Sequence, residues 1–205
     1  MMKAGDAVIG KFVSQLASKV RLVAVEDGEE ERWSKGGAAA AVAASLGAAS
    51  GSMAAIYTTS KKFRENGTAE QAEKLATELE QAAMQCLTVA DEDAEAYANL
   101  QKTWKKDSGL SSEEVDKIKS DALDVPVRLV NTCHAHAKAV HDFLPICNPQ
   151  IISDAKVAIH LLAGGARAAY QTALVNSPND EVRASLEKTL AEISVFEAAC
   201  LPKQE

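Results

Sequence analysis

From Gly36 to Ser60 the chain carries no charged residue, and most of that run is alanine, glycine, serine or threonine. A stretch this long without charge is either a membrane span or a helix packed on nearly every side. Its large aliphatics are few: Val42, Leu46, Met53 and Ile56. Insertion into lipid depends on a much higher content of Leu, Ile and Phe. The composition therefore predicts a buried central helix over about 37–59 and no membrane association. Ala43, Gly47, Gly51 and Ala55 fall every four residues along it. Such a row of small side chains lets a neighbouring helix approach closely, and tight packing alone accounts for it.

Helical periodicity continues through most of the chain. Val8, Ile9, Phe12, Val13, Leu16 and Val20 predict a first amphipathic helix, followed by a charged, glycine-containing loop from Val25 to Lys35. Lys61, Lys62 and Arg64 are expected at the C-terminal end of the central helix, where cations are favourable. Asn66-Gly67 breaks the chain. Thr68 is expected to cap a long helix reaching about Lys105, with Gln71 as its capping-box partner. Ser108-Gly109 is a second break, and Ser111 or Ser112 caps a helix running to about Phe143. Pro126 inside it should kink or interrupt it. Pro145 and Asn148-Pro149 mark a turn. Two more helices are expected over about 151–175 and 180–199, separated by Ser177-Pro178-Asn179. No segment alternates with the two-residue period of a strand. The 205 residues suit a single domain, 1–205. The predicted fold is all-α, an up-and-down bundle of long helices around the alanine-rich central one.

A net charge of −7 argues against a nucleic-acid partner and means that any anionic ligand needs a local basic cluster. Met1-Met2-Lys3-Ala4-Gly5-Asp6 lacks the apolar core of a secretory signal. The four cysteines form no CxxC pair, so free thiols in a reducing cytoplasm are expected.

Three clusters could carry chemistry. Leu79, Cys86, Asp93 and Leu100 share one helix face, with Leu75, Ala82, Val89 and Ala96 as a companion row. Asp93 thus lies on an apolar stripe. A carboxylate buried there must meet a cation or donor, or line a cavity; otherwise the helix emerges into solvent at that point. Asp91, Glu92 and Glu95 read more simply as a solvated face. Lys61-Lys62-Phe63-Arg64 could hold a carboxylate tail or be a solvated helix end. Asn148-Pro149 reads as an N-cap and first helical residue, or Ser153 is the cap with Asp154 in the first turn. Free backbone donors at such a start attract anions, though pure capping explains the residues equally. His134, His136, His141 and His160 lack metal-ligand spacing, so no metal is expected.

The order of these segments resembles the formiminotetrahydrofolate cyclodeaminase/methenyltetrahydrofolate cyclohydrolase family. Gly36-Gly37 running into Ala38–Ala49 is similar to that family's glycine-rich loop and alanine-rich helix. Thr58-Thr59-Ser60-Lys61-Lys62-Phe63, Asp91-Glu92-Asp93-Ala94-Glu95-Ala96-Tyr97, and Val125-Pro126 with Asn148-Pro149-Gln150-Ile151-Ile152-Ser153-Asp154-Ala155 resemble its other elements in order. Ser34-Lys35-Gly36-Gly37-Ala38 stands where the family has proline, three glycines and serine. The resemblance implies an all-helical cytoplasmic homodimer acting on tetrahydrofolate derivatives, with folate as substrate and no separate cofactor. It implies closure of 5-formiminotetrahydrofolate to 5,10-methenyltetrahydrofolate with loss of ammonia, or hydrolysis of the methenyl bridge. Asp93 or Asp91 would then transfer protons, with Asp154 and Ser153 orienting the pterin or its bridge. Lys61, Lys62 and Arg64 would hold the anionic glutamate tail, which polyglutamation lengthens. Gly36, Gly37 and Asn148 would complete the binding site. A catalytically silent folate- or protein-binding paralogue is the alternative.

Overall fold

The computed structural model describes residues 35–65, 67–105 and 109–201. The helix expected over Val8–Val20 and the loop from Val25 to Ser34 lie outside them. Among the described residues there are six α-helices and no strand. They are α1 (Lys35–Ile56), α2 (Lys61–Glu65), α3 (Thr68–Lys102), α4 (Ser112–Phe143), α5 (Ile152–Val175) and α6 (Asp180–Cys200), with a 3-10 turn at Leu144–Ile146.

α1, α3, α4 and α5 form an up-and-down ring. α1 packs most extensively on α3 and α5, and α4 closes the ring between them. The pairings run antiparallel. Gly37 meets Asp93 of α3 near one end of α1, and Gly51 meets Leu79 near the other. On α5, Gly165 meets Ala40 and Ala44, while Gly47 meets Ala158 and Leu162. α6 lies against α4 and α5.

The small residues of α1 set the closeness of this packing. A Cβ added at Gly47 would come within 2.9 Å of the Leu162 backbone nitrogen, so α5 could not sit where it does against any other residue. Ala38, Ala41, Ala44, Ala48 and Ala55 are buried with Leu79, Leu129, Val140, Ile159 and Leu162. α1 is the one described helix long and apolar enough to cross a membrane, yet more than half of that segment is buried in the bundle.

Local signals were partly overruled by tertiary structure. Ser111 caps α4 with the reciprocal Glu114 bond, as serine-to-glutamate spacing favours. At α3 the cap position is Gly67, in the left-handed region at φ 77° and with no side-chain cap bond, so Thr68 is the first residue of the helix and not its cap. α4 continues through Pro126 without interruption. The lysines do not end α1: the chain turns at Tyr57–Ser60, and they open the short α2.

All four cysteines are free and buried. Burial pushes the Cys86 thiol up to about 11, and burial followed by the nearby Cys86 raises Cys133 as well. Both stay protonated and unreactive. α6 is held by Leu186 and Ile193 in the core, by Phe196 against the rings of His134 and His141, by a 2.8 Å approach of Glu192 to His134, and by the ion pair of Glu197 with Arg167.

His136 of α4 has a pH signature. Burial holds its imidazole below the ordinary value of 6.5, with Glu78 pulling weakly the other way. The unfolded chain therefore binds this proton more readily than the folded one. The stabilisation is complete above about pH 6.5 and is lost as pH falls toward the lower folded value. Comparing urea midpoints at about pH 7.5 and about pH 5.5, wild type should lose more stability than His136→Gln. Equal losses would remove His136 from the acid response.

Candidate functional site at the two ends of the central helix

Asp93 is the one charged residue buried among the described residues, 7% exposed. Its carboxylate occupies the place a side chain on Gly37 would take, since a Cβ built there overlaps both oxygens and Cγ. Asp93 thus lies inside the bundle, against the first turn of α1. Backbone N–H groups at a helix start are unsatisfied within the helix and favour negative charge. Gly37 gives a carboxylate the room to reach that backbone. Gly36 is less crowded, the nearest atom to an added Cβ being Thr172 Oγ1 at 3.7 Å.

Asp91 and Glu92 are half-buried and Glu95 is exposed. Glu92 is more than solvated surface. It accepts a 2.6 Å bond from Arg128 of α4, which also donates to Asp124 at 2.7 Å. The hydrogen bond Arg128 donates to Glu92 raises the Arg128 value further, against some desolvation. These residues, with Glu95, Asn99 and Asp121, line a surface cavity of about 310 Å³. Its carboxylates outnumber its single cation, so it is poorly suited to an anionic tail. The cavity opens between α3 and α4, whereas Asp93 points to α1.

The other end of α1 holds a second cluster. Thr58 is completely buried. Its hydroxyl donates to the Ala54 carbonyl at 2.9 Å and accepts from the Asn148 N–H at 3.0 Å. The Asn148 side chain donates to the Tyr57 carbonyl and accepts from the Gln150 N–H. Asn148 is therefore a tertiary clip and not a helix cap. α5 begins at Ile152, with neither Asn148 nor Ser153 capping it. Ser153 is exposed beside Asp154 and donates to its carboxylate at 3.4 Å. Ser50 of α1 donates to the Asp154 carbonyl at 3.0 Å. Burial pushes the Cys147 thiol up, and the charge of Asp154 adds to that, against a Thr58 hydrogen bond.

Lys61, Lys62 and Arg64 follow Thr58 after Thr59-Ser60, all exposed. Arg64 is engaged with the Thr59 carbonyl and with Glu73 at 3.3 Å, while the Lys62 ammonium lies over the Phe63 ring. The structure thus brings Lys61, Lys62, Asn148, Ser153 and Asp154 to one end of α1, and Gly36, Gly37, Asp91 and Asp93 to the other. From Gly37 to Ser50, the contacts of Asp93 and Asp154, α1 rises about 20 Å. The two aspartates do not share a pocket within one chain.

A family model described as formiminotransferase-cyclodeaminase matches residues 28–195. The chain belongs to that family. Its fold matches the crystal structure of formiminotetrahydrofolate cyclodeaminase from Thermotoga maritima, with a TM-score of 0.77 and 20% identity over 97% of this chain and 93% of that one. No curated protein gives a significant match.

Against the family background, Thr58 is the residue that sequence reasoning passed over. It was visible only as part of a polar run, and a buried hydroxyl joining α1 to Asn148 has no periodic signature. Thr58→Val should cost about 1–3 kcal/mol, because the Asn148 N–H keeps its burial and loses its acceptor. Thr58→Ser should stay within about 1 kcal/mol, since it keeps the hydroxyl and loses one methyl. Urea unfolding checks both, and equal losses would show that the bond to Asn148 contributes nothing.

Proposed function

We propose that this protein performs one-carbon chemistry on tetrahydrofolate, as a homodimer in the cytoplasm. The reaction is closure of 5-formiminotetrahydrofolate to 5,10-methenyltetrahydrofolate with release of ammonia, with hydrolysis of the methenyl bridge as the related activity. Family membership supports the folate class. The observation that carries the reading is Asp93, a carboxylate kept in a helical core against the glycine that opens α1. Burying a carboxylate is costly, and proton transfer is the use that the family's chemistry has for one.

In the closure, N10 attacks the formimino carbon and an N10–C bond forms. The formimino group reacts as its amidinium, whose terminal nitrogen is already –NH2; N10 gives up its proton and that nitrogen takes it to become –NH3+. The bond from carbon to that nitrogen then breaks, ammonia departs, and the methenyl carbon is left shared between N5 and N10. Asp93, or Asp91 beside it, carries the proton between the nitrogens. Lys61 and Lys62 hold the glutamate tail, with Arg64 supporting them from its bond to Glu73. Asn148, Ser153 and Asp154, about 20 Å from Asp93 along α1, orient the pterin from the other chain of the homodimer, and Gly36 lets the substrate approach the α1 backbone beside the seat that Asp93 fills at Gly37. The chemistry as written needs no metal or further cofactor.

The test is a spectroscopic assay of methenyltetrahydrofolate formation from the formimino substrate and of its loss by hydrolysis. Turnover of either substrate supports the proposal. Tight folate binding without turnover supports a silent paralogue, the reading favoured by Lys35 and Ala38 standing where the family has glycine and serine. Absence of both removes folate altogether.

A further inference from the structure

α3 runs past the start of α1. Among the described residues α1 opens at Lys35, and Gly37 is the residue that meets Asp93. The antiparallel α3 therefore leaves α1 behind soon after Asp93. Tyr97, Leu100 and Trp104 continue the Asp93 stripe at spacings of four, three and four, the last of them in the turn that closes α3. Tyr97 is 41% and Trp104 61% exposed. Their rings meet edge to face, with centroids 6.0 Å apart and planes at 79°. Tyr97 stands one turn, about 6 Å of rise, beyond Asp93. Helical side chains lean toward the preceding turn, so Tyr97 leans toward the turn that carries Asp93. A single exposed apolar residue is ordinary. Here two large rings, in a chain that is 4% aromatic, stand together in solvent as an open corner.

We infer that Tyr97 and Trp104 form the face that binds the cationic one-carbon unit of the folate, stacking on its planar N–C–N group beside Asp93. The inference rests on the function proposed above and adds two binding residues to it.

Charge decides what this corner takes. The reacting unit is cationic at both ends of the closure. It enters as an amidinium and leaves as a methenyl group whose charge is spread over N5, the carbon and N10. Such a cation is planar and delocalised, like the guanidinium groups that stack on aromatic faces. Ring faces are electron-rich and attract it, those of tryptophan most strongly. The adjoining turns of α3 carry Asp91, Glu92, Asp93 and Glu95, which favour a positive unit and repel the glutamate tail. The rings attract the cation without accepting its protons, which keeps proton transfer with Asp93.

The role differs from that of Asp93 in its kinetic signature. A cation present in both substrate and product is held by the rings throughout, and uniform binding of that kind sets KM and leaves kcat alone. Tyr97→Leu and Trp104→Leu should each raise KM about tenfold, within the range of cation–π contacts, with kcat within about twofold of wild type. Tyr97→Phe and Trp104→Phe keep a ring face and should restore KM to within about threefold.

Two ligands of the same size isolate the charge. 5,10-Methenyltetrahydrofolate is cationic at the bridging carbon, whereas 5-formyltetrahydrofolate carries a neutral amide there. By calorimetric titration, each leucine variant should bind the methenyl ligand about tenfold more weakly and the formyl ligand within about twofold of wild type. Equal losses for both ligands overturn the inference, because a general disturbance or plain stacking of the pterin does not read charge. Wild-type affinity for both ligands also overturns it. In a Trp33→Phe protein, Trp104 is the one remaining tryptophan, and its emission should fall on addition of either ligand. Unchanged emission at saturation overturns the inference. Wild type that binds neither ligand overturns it together with the proposed function. If wild type turns over neither folate yet the leucine variants lose the methenyl ligand selectively, the aromatic face stands and the proposed reaction fails.

Discussion

Replacing Asp93 with asparagine is expected to lower turnover by about 10²–10⁴-fold, the range that a positioned proton-transfer group supplies. Asparagine is nearly isosteric and fits the same seat on Gly37, so the fold should persist. It accepts and donates hydrogen bonds but cannot carry a proton between two nitrogens. Folate affinity should stay within about tenfold, or roughly 1.4 kcal/mol, because the tail and pterin contacts are made elsewhere. The two effects are separable by measuring kcat beside the dissociation constant. Turnover near wild type would transfer the proton role to Asp91, for which Asp91→Asn is the companion variant. A large loss of affinity with kcat unchanged would instead make Asp93 a binding group.

What the sequence disclosed follows from periodicity. The apolar row Leu75, Leu79, Ala82 and Cys86 made α3 legible and put Asp93 on its apolar stripe, but left open whether the carboxylate is buried there or solvated. The row of Ala43, Gly47, Gly51 and Ala55 forecast the close approach of a neighbouring helix, without saying which one. Periodicity tells which face a residue occupies and is silent about which end of the bundle it reaches. The expected helix ends at Asn148 and Thr68 failed for a related reason. Asn148 spends its side chain on Tyr57 and Gln150, and Gly67 supplies a left-handed turn that makes a threonine cap unnecessary. Both outcomes depend on partners distant in sequence or on backbone conformation. The placement of Asp154 was within reach of topology. In an up-and-down bundle α3 returns along α1, so its late residues reach the start of α1. α4 then turns back, and the start of α5 lands at the end of α1. Asp93 and Asp154 are therefore carried to opposite ends of the bundle.

Gly37→Ala is expected to damage the same function from the opposite side of the contact. The added methyl overlaps the Asp93 carboxylate, so one of them has to move. In a helix interior alanine would ordinarily be favoured over glycine by about 0.5–1 kcal/mol. Overpacking a filled site costs about 1–3 kcal/mol, and here the displaced group is also the proposed proton carrier. A shift of about 1 Å in such a group lowers the rate by about 10²-fold. Gly37→Ala should therefore lower both the unfolding free energy and kcat, while Gly36→Ala, with its nearest neighbour at 3.7 Å, should leave stability unchanged or slightly raised. The double variant Gly37→Ala with Asp93→Ala makes the contact itself visible. Removing the carboxylate vacates the space the methyl needs, so its stability should exceed the sum of the single effects by more than about 0.5 kcal/mol, the scale of coupling between touching residues. Simple additivity, or a Gly37→Ala protein with wild-type kcat, would show that the opening of α1 does not position Asp93.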